Sequence, residues 1–461
     1  MSEPDNSMDL AKGAIGPALL KLVTPMLFGM LMIASVGIVD AYFIGDLGTE
    51  PLAAFGLCFP VVMMLQALLF GLANGITASL ARVRGERGPR PVGAPELVMI
   101  RVSIASALGL STALAVIGML FGRFFFSLAT DDTQLVELAM RYYGPFLLSI
   151  VLLAVPMSVT AAMRGLGETR SSGTVMALTS LFNAGLDPVF MNGWGPIEPM
   201  GIAGVSIATV VANGIGAAFA LVVLHRALGA RVFRPAPDDV PADEHLPARQ
   251  ALSSVARIAV PAMLAQLLGP FASVVIATLM AAQGTAALAG LSIVQRVDML
   301  IMIVSVATGT GLMPLVGQSW GGGDRQRAAL ALRLGRRMLV LYAIVMGLAV
   351  NLLAGPLIGT FTDSPEVVAV ARLALLIAPL GYIGGGLNIC TMSCFNAIGR
   401  PVRATKLSAV FALVLLPLLA STLGARFGVL GIFGGAAIAS ALSAALGTYW
   451  MKLEGLVPRR A

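Results

Sequence analysis

The dominant pattern along the chain is a series of long apolar runs separated by short polar segments such as DLGTE, TDDTQ and TDSPE. A run of about 20 apolar residues is long enough to cross a bilayer as a helix. Twelve runs meet this requirement, and the pattern therefore predicts twelve membrane-spanning helices. The predicted spans are 14–45, 52–81, 97–122, 134–163, 171–191, 201–225, 251–282, 287–319, 329–355, 367–394, 402–424 and 428–452.

The composition supports this assignment and excludes a soluble protein. Of the 461 residues 57% are hydrophobic and 11% are charged, and the mean hydropathy is +0.90. These values are typical of an all-α polytopic membrane protein in contact with the lipid bilayer. The net charge of +7 is spread over many loops, so we expect no nucleic-acid partner. The first apolar run is too long for a cleavable signal peptide.

The positions of the basic residues predict the orientation in the membrane. If the N-terminus is cytoplasmic, 25 of the 30 Lys and Arg residues fall in cytoplasmic segments. Four fall on the opposite side, namely Arg123, Arg141, Arg372 and Arg426. This excess follows the positive-inside rule. It predicts a multi-pass protein of the bacterial inner (plasma) membrane with both termini in the cytoplasm, and we expect a monomer.

The chain is also an internal duplication. Residues 24–85 align with residues 260–321 without a gap, and RGLGETR later aligns with NAIGRPV. Because each repeat has an even number of spans, both halves enter the membrane in the same direction, which is the parallel type of repeat. This predicts two six-helix lobes with the substrate between them.

The lobe boundaries follow from the same alignment. The predicted N-lobe is 1–225, a Pro-rich and charged cytoplasmic linker is 226–250, and the C-lobe is 251–453. The tail 454–461 contains LVPR, which resembles a protease site left by cloning, and it is set aside.

Two acidic residues lie inside predicted spans of the N-lobe. Asp40 ends a stretch that has no charge after Pro25, and a carboxylate at the centre of such a span costs about 2.5–3.5 kcal/mol. Asp187 lies in span 5, and Asn183 is four residues earlier on the same helix face. Thr209 is in span 6. At ~1.5 Å per residue these groups lie within roughly 6–12 Å of the outer membrane face.

Overlapping depth permits these groups to form one site. Two carboxylates in a desolvated pocket cannot easily both be ionised, so a pair would share protons and titrate as a unit. The same oxygens could instead hold Na⁺. Each residue also has a structural explanation. Asp40 could reach interfacial water, and Asn183 could form an interhelical hydrogen bond. Asp187 could cap a helix that ends before Pro188.

The second repeat lacks this acidic pattern. Ile276 stands at the position of Asp40, and Leu419 aligns with Asp187. Ion handling is therefore predicted in the first lobe only.

Several motifs resemble those of the multidrug and toxic compound extrusion (MATE) family. They are VDAYFIGDLGTEPLAAFGL, RGLGETR, NAGLDPVF with GIAGVSIAT, and GQSWGGGDR. The resemblance implies two six-helix lobes around a V-shaped central cavity, and exchange of cations for amphipathic, usually cationic drugs. It implies no organic cofactor, only a coupling ion, H⁺ or Na⁺. It also implies a cation site at Asp40, Asn183, Asp187 and Thr209, approached by either Tyr142 or Tyr143.

The resemblance has one departure. A family subgroup carries a Glu in span 7 as a further cation site, whereas span 7 here carries Gln266 and no acid. This favours the DinF-like, proton-coupled type over Na⁺ coupling. Gln266 either lines the cavity or forms an interhelical hydrogen bond. Pro25 is a candidate hinge, because proline removes a helical hydrogen bond.

Two further charges, Arg296 and Asp298, lie inside span 8. Being two residues apart, they do not face each other on a helix. Either each packs against a different neighbour, or they place charge in the substrate cavity.

The sequence therefore predicts a proton-coupled multidrug efflux antiporter that works by alternating access. One alternative is Na⁺ coupling, and another is a flippase for lipids or lipid-linked sugars. A flippase would need a strongly cationic cavity, and Arg296 is the sole basic residue that is assigned to neither face of the membrane. An enzyme is not expected, because the spans contain no nucleophile–base pair or metal-ligand set.

Overall fold

The computed structural model describes residues 10, 13–232 and 246–457, and these residues are almost entirely helical. The α-helices are α1 (Ile15–Asp46), α2 (Thr49–Arg87), α3 (Ala94–Ser127), α4 (Thr133–Gly165), α5 (Thr169–Asn192), α6 (Ile202–Leu228), α7 (Ala248–Ala281), α8 (Thr285–Gly321), α9 (Arg325–Leu352), α10 (Ala354–Gly359), α11 (Pro365–Ala397), α12 (Pro401–Ala409) and α13 (Leu416–Leu453). A π-helical turn, Val410–Leu415, joins α12 to α13. It precedes Pro417, which cannot donate a backbone hydrogen bond to the preceding turn.

The helices account for the twelve predicted spans. Within the described residues, ten helical segments are long and apolar enough to cross a membrane. One of them, the 53-residue run Pro401–Leu453, is kinked at Gly428 and so supplies two spans. The 28-residue α9 has the length of a span, and its Arg residues lie in its first half. The total is twelve, six in each lobe, and the predicted fold class is confirmed.

The duplication is visible in the backbone itself. Gly201 and Gly428 begin the sixth span of each lobe with φ of 56° and 57° and ψ of −135° and −137°. Gly48 and Gly284 precede the second span of each lobe with φ of 115° and 110°. Positive φ values of this kind favour glycine. The two repeats therefore share their turn conformations as well as their sequence pattern.

The lobes contact each other near one end of the helix bundle, which we call the basic end because α2 finishes there with Arg84 and Arg87. On the α2–α7 contact a side chain at Gly75 would collide with Ala259. One turn further along, the Ser79 hydroxyl donates to the Ser254 carbonyl at 3.1 Å.

A reciprocal glycine crossing joins α2 to α8 at the same end. A side chain at Gly85 would collide with the backbone of Gln318, and a side chain at Gly321 would collide with the backbone of Arg82. The two contacts are related by the repeat, because Gly321 is the equivalent of Gly85 and Gln318 is the equivalent of Arg82 at the same offset along the chain. Gln318 also donates through Nε2 to the Gly165 carbonyl at 3.0 Å. The lobes thus contact each other closely at the basic end.

The predicted linker 226–250 is too long. α6 continues to Leu228, and a 3₁₀ turn extends the structure to Val232, whose carbonyl accepts from Arg101 Nε at 2.9 Å. α7 begins at Ala248. The segment 233–245 lies outside the described residues.

The predicted C-lobe limit at residue 453 is too early. Arg403 Nη1 lies 2.7 Å from Glu454 Oε1, and Leu456 is buried in the core. Residues 454–457 therefore belong to the folded body, and 458–461 lie outside the described residues.

Candidate functional site

The two acidic residues of the N-lobe meet in the structure. Asp187 on α5 is completely buried, and Asp40 on α1 is half-buried. Their carboxyl groups lie within hydrogen-bonding reach of each other, so that one protonated carboxyl could donate to the other. Among the described residues, Asp40 Oδ1 and Asp187 Oδ2 are buried without a hydrogen-bond partner. Buried polar atoms without partners are costly, and a proton or a cation would satisfy these two.

Asn183 connects the acid pair to α6. Its Nδ2 donates to Asp187 Oδ1 at 3.5 Å and to Thr209 Oγ1 at 3.2 Å. The Thr209 hydroxyl in turn donates to the Val205 carbonyl at 3.0 Å. α5 continues unbroken through Pro188 to Asn192, so Asp187 does not cap a helix end. Three helices thus bring the four predicted polar residues together.

Tyr142, rather than Tyr143, faces the acid pair. Tyr142 is buried, lies within electrostatic range of both carboxyls and stacks on Phe146 at a centroid distance of 5.9 Å. Successive helical residues point about 100° apart. Tyr143 accordingly points toward α3, where it packs on Gly118 and Gly122. Gly118 and Gly122 are four residues apart and lie on one face of α3, and the Tyr143 ring packs against this face because it has no side chains there.

The positions of the C-lobe that are equivalent to these four polar residues carry apolar side chains. The corresponding positions there are, in chain order, Ile276, Leu415, Leu419 and Ala436. All four pack against one hydrophobic cluster. An apolar set is therefore compatible with this arrangement of helices, and the acids of the N-lobe are not required by the fold.

Arg296 and Asp298 have separate neighbours. Arg296 is exposed, and its Cζ lies 5.6 Å from the centre of the Phe361 ring. Asp298 Oδ1 accepts a hydrogen bond from the Tyr382 hydroxyl at 2.7 Å. The structure thus gives each charge a different packing partner.

Gln266 and Pro25 lie away from the acid pair's hydrogen bonds. Gln266 is half-buried on α7. α1 passes through Pro25 without a break, and the Lys21 carbonyl that Pro25 leaves free accepts from Thr169 Oγ1 at 3.4 Å. Bending at Pro25 would disturb this bond to α5. Its role as a hinge stays a prediction.

One charged cluster was missed by the sequence analysis. Glu96, at the start of α3, is completely buried; its Oε2 lies 2.8 Å from Arg87 Nη1, and its Oε1 lies 3.6 Å from Arg84 Nη1. The Gly93 backbone N–H also donates to Glu96 at 3.1 Å. The four Arg residues in RVRGERGPR could have indicated that an acidic side chain is buried nearby. The cluster fixes the loop between α2 and α3 at the basic end.

Comparison with known proteins identifies the family. The MatE family model matches residues 25–189 and 261–421, which together form most of the chain. The two stretches begin at equivalent positions of the two repeats. The chain belongs to the MatE family. MATE proteins are multi-pass membrane transporters rather than enzymes, as the sequence predicted.

Individual MATE relatives agree with this assignment. The chain is 29% identical over 416 residues to the FAD transporter of Shewanella oneidensis, covering 89% of each chain. It is 25% identical over 378 residues to the probable multidrug resistance protein NorM of Thermotoga maritima, covering 82% of this chain and 77% of that protein. The bent form of the Vibrio cholerae MATE transporter VcmN superposes with a TM-score of 0.85 and 25% identity, covering 96% and 97% of the two chains.

Proposed function

We propose that this MATE protein is a proton-coupled antiporter that exports amphipathic, often cationic organic compounds across the bacterial inner membrane. The contact between Asp40 and Asp187 carries the proposal, because it combines two acids with two unpartnered buried oxygens. The basic end is assigned to the cytoplasm by the positive-inside rule. The described conformation is then closed on the cytoplasmic side.

The acid pair binds the coupling proton from the outer side. Protonation removes the cost of holding a charge in a desolvated pocket and lets one carboxyl donate to the other. α1 links this event to the lobe interface, because the same helix carries Asp40 and, nearer the basic end, Val23, which packs at Gly311 of α8. Rearrangement of α1 after proton binding expels the drug outward. Return of the empty, protonated transporter to the inward-open state releases the proton to the cytoplasm.

One proton supplies enough free energy for efflux. A charge falling through 100 mV releases about 2.3 kcal/mol. At about 1.4 kcal/mol per tenfold, this sustains roughly a 40- to 50-fold gradient of a neutral solute. Each unit of pH gradient adds about another factor of ten.

The first experiment measures uptake of a fluorescent organic cation by proteoliposomes under a pH gradient, and separately under a Na⁺ gradient. We expect the pH gradient to drive transport and the Na⁺ gradient alone to fail. Asp40→Asn should abolish pH-driven transport, whereas Asp46→Asn, an exposed acid on the same helix, should not. Transport driven by Na⁺ alone would instead assign the four oxygen-bearing residues to a Na⁺ site. Undiminished transport by Asp40→Asn would refute the proton-carrier role.

A second substrate candidate is flavin adenine dinucleotide (FAD), favoured by the similarity to a FAD transporter. FAD carries phosphates and aromatic rings, and the exposed guanidinium of Arg296 beside Phe361 offers partners for both. If FAD is the substrate, Arg296→Gln should reduce flavin efflux measured by its fluorescence. Arg372→Gln, an exposed Arg at the same end of the helices, is the matched control. Absence of flavin efflux by the wild-type protein would exclude this candidate.

A further inference from the structure

A groove runs along the C-lobe between α9, α11 and α13. It consists of two adjoining cavities of about 470 and 620 Å³, which share Arg336, Leu387 and Thr448 in their walls. The first cavity extends to Arg333 near the basic end, and the second extends along α13 to Leu430. The walls away from the Arg residues are mostly aliphatic.

The depth of the Arg residues follows from α9 itself. The sequence has no charged residue between Arg337 and Asp363. These 25 intervening positions are enough to cross the ~30 Å hydrocarbon core. Arg333, Arg336 and Arg337 therefore lie at the level of the lipid headgroups on the basic side of the membrane.

Arg336 is held in place with one donor unused. Its Nη2 donates to Thr448 Oγ1 at 2.7 Å, and Thr448 Oγ1 donates to the Ala444 carbonyl at 2.7 Å. Its Nη1 is buried, and among the described residues it has no hydrogen-bond partner. No Asp or Glu lies among the residues lining either cavity. A fixed guanidinium with a free N–H and no counter-charge is suited to a phosphate group.

The apolar part of the groove is longer than one leaflet is thick, so it has room for a whole acyl chain. From Thr448 to Leu430 α13 rises about 27 Å, at 1.5 Å per residue. One leaflet of the hydrocarbon core is roughly half of 30 Å thick. We propose that this groove binds an anionic phospholipid of the basic-side leaflet, with its phosphate on Arg336 and an acyl chain against α11 and α13. Basic pockets between helices on the cytoplasmic side are known to bind such headgroups.

The charge part of the proposal is tested by native mass spectrometry of the delipidated full-length protein. The protein is offered phosphatidylglycerol and phosphatidylcholine of equal chain length. We expect the wild type to retain phosphatidylglycerol at least about fivefold better, the factor of one basic group at an anionic membrane surface. Arg336→Gln should remove this preference. Arg170→Gln, an exposed Arg at the same end of the N-lobe, should keep it.

The acyl part is tested by filling the groove. Gly434 lines the second cavity, and a side chain there would meet open space, so Gly434→Leu should fold and should lower retention of phosphatidylglycerol. Gly381→Leu is the matched control, because Gly381 also has open space and is not in the walls of the groove. Gly434→Leu keeps the test decisive if Arg336→Gln fails to fold.

Several results would overturn the proposal. They are equal retention of both lipids by the wild type, unchanged retention by Arg336→Gln or Gly434→Leu, and an equal loss in the matched control. Full displacement of the lipid by millimolar inorganic phosphate would assign the site to free phosphate instead.

Discussion

Replacing Asp187 by Asn is expected to stabilise the protein and to uncouple it. The substitution keeps the shape of the side chain. Its amide oxygen can still accept from Asn183, which now donates to Asp187 at 3.5 Å. Its new N–H groups can donate to the Asp40 carboxyl, which lies within reach and has a buried oxygen without a partner among the described residues.

The size of the stabilisation follows from these atoms. One unsatisfied buried polar group costs about 1–3 kcal/mol. Supplying a donor to Asp40 should therefore raise the free energy of unfolding by about that amount, equivalent to a factor of roughly 5 to 150 in the folded-to-unfolded ratio. The gain should grow with pH, because deprotonation of both wild-type carboxyls adds repulsion that the Asp187→Asn variant lacks.

Two assays test this prediction. The melting temperature of the purified protein in detergent should rise by a few degrees. In proteoliposomes at zero membrane potential, a gradient of one pH unit should sustain about tenfold accumulation of a neutral substrate per proton in the wild type, and none in Asp187→Asn. Leu419→Asp, at the corresponding C-lobe position, is the control and should lower stability, because it places a carboxyl in an apolar cluster. A lower melting temperature of Asp187→Asn, or intact pH-driven accumulation, would refute the reasoning.

Three other substitutions test separate parts of the structure. Gly321→Val should weaken the closure of the basic end, because the added side chain collides with the facing helix. A cysteine introduced by Ser79→Cys should then react faster with a thiol reagent, and an unchanged rate of labelling would contradict the described contact. Pro25→Ala should raise the free energy of unfolding by less than about 1 kcal/mol, because the Lys21 carbonyl that proline leaves free already accepts from Thr169. A gain of several kcal/mol would contradict this hydrogen bond. Tyr142→Phe should change the pH dependence of transport more than Tyr143→Phe does, because Tyr142 alone is near both acids; equal effects would argue against its placement in the site.

The sequence predicted the features that depend on simple periodic patterns. Span length, duplication and the matched depths of Asp40 and Asp187 follow from counting residues along helices. They therefore anticipated the twelve helices, and they permitted the two acids to meet without requiring it. Asn183 and Asp187 share a helix face by spacing alone, and the structure shows the expected contact.

Features that depend on rotation or on distant neighbours could not be predicted. The choice between Tyr142 and Tyr143 is set by the rotation of α4 against Gly118 and Gly122. Leu456 belongs to a hydrophobic cluster with residues far away in the chain, and the local LVPR motif, which placed its segment outside the fold, carried no sign of this.

The reciprocal glycine crossing between α2 and α8 gives the lobe contact a particular mechanical character. At Gly85 and Gly321 each helix presents bare backbone to the other, so no long side chains interlock at these two points. Such a seam can part and re-form once the Gln318 side chain releases the Gly165 carbonyl. Because the two glycines occupy equivalent places in the repeats, both contacts can break together, and the lobes can separate as two rigid bodies.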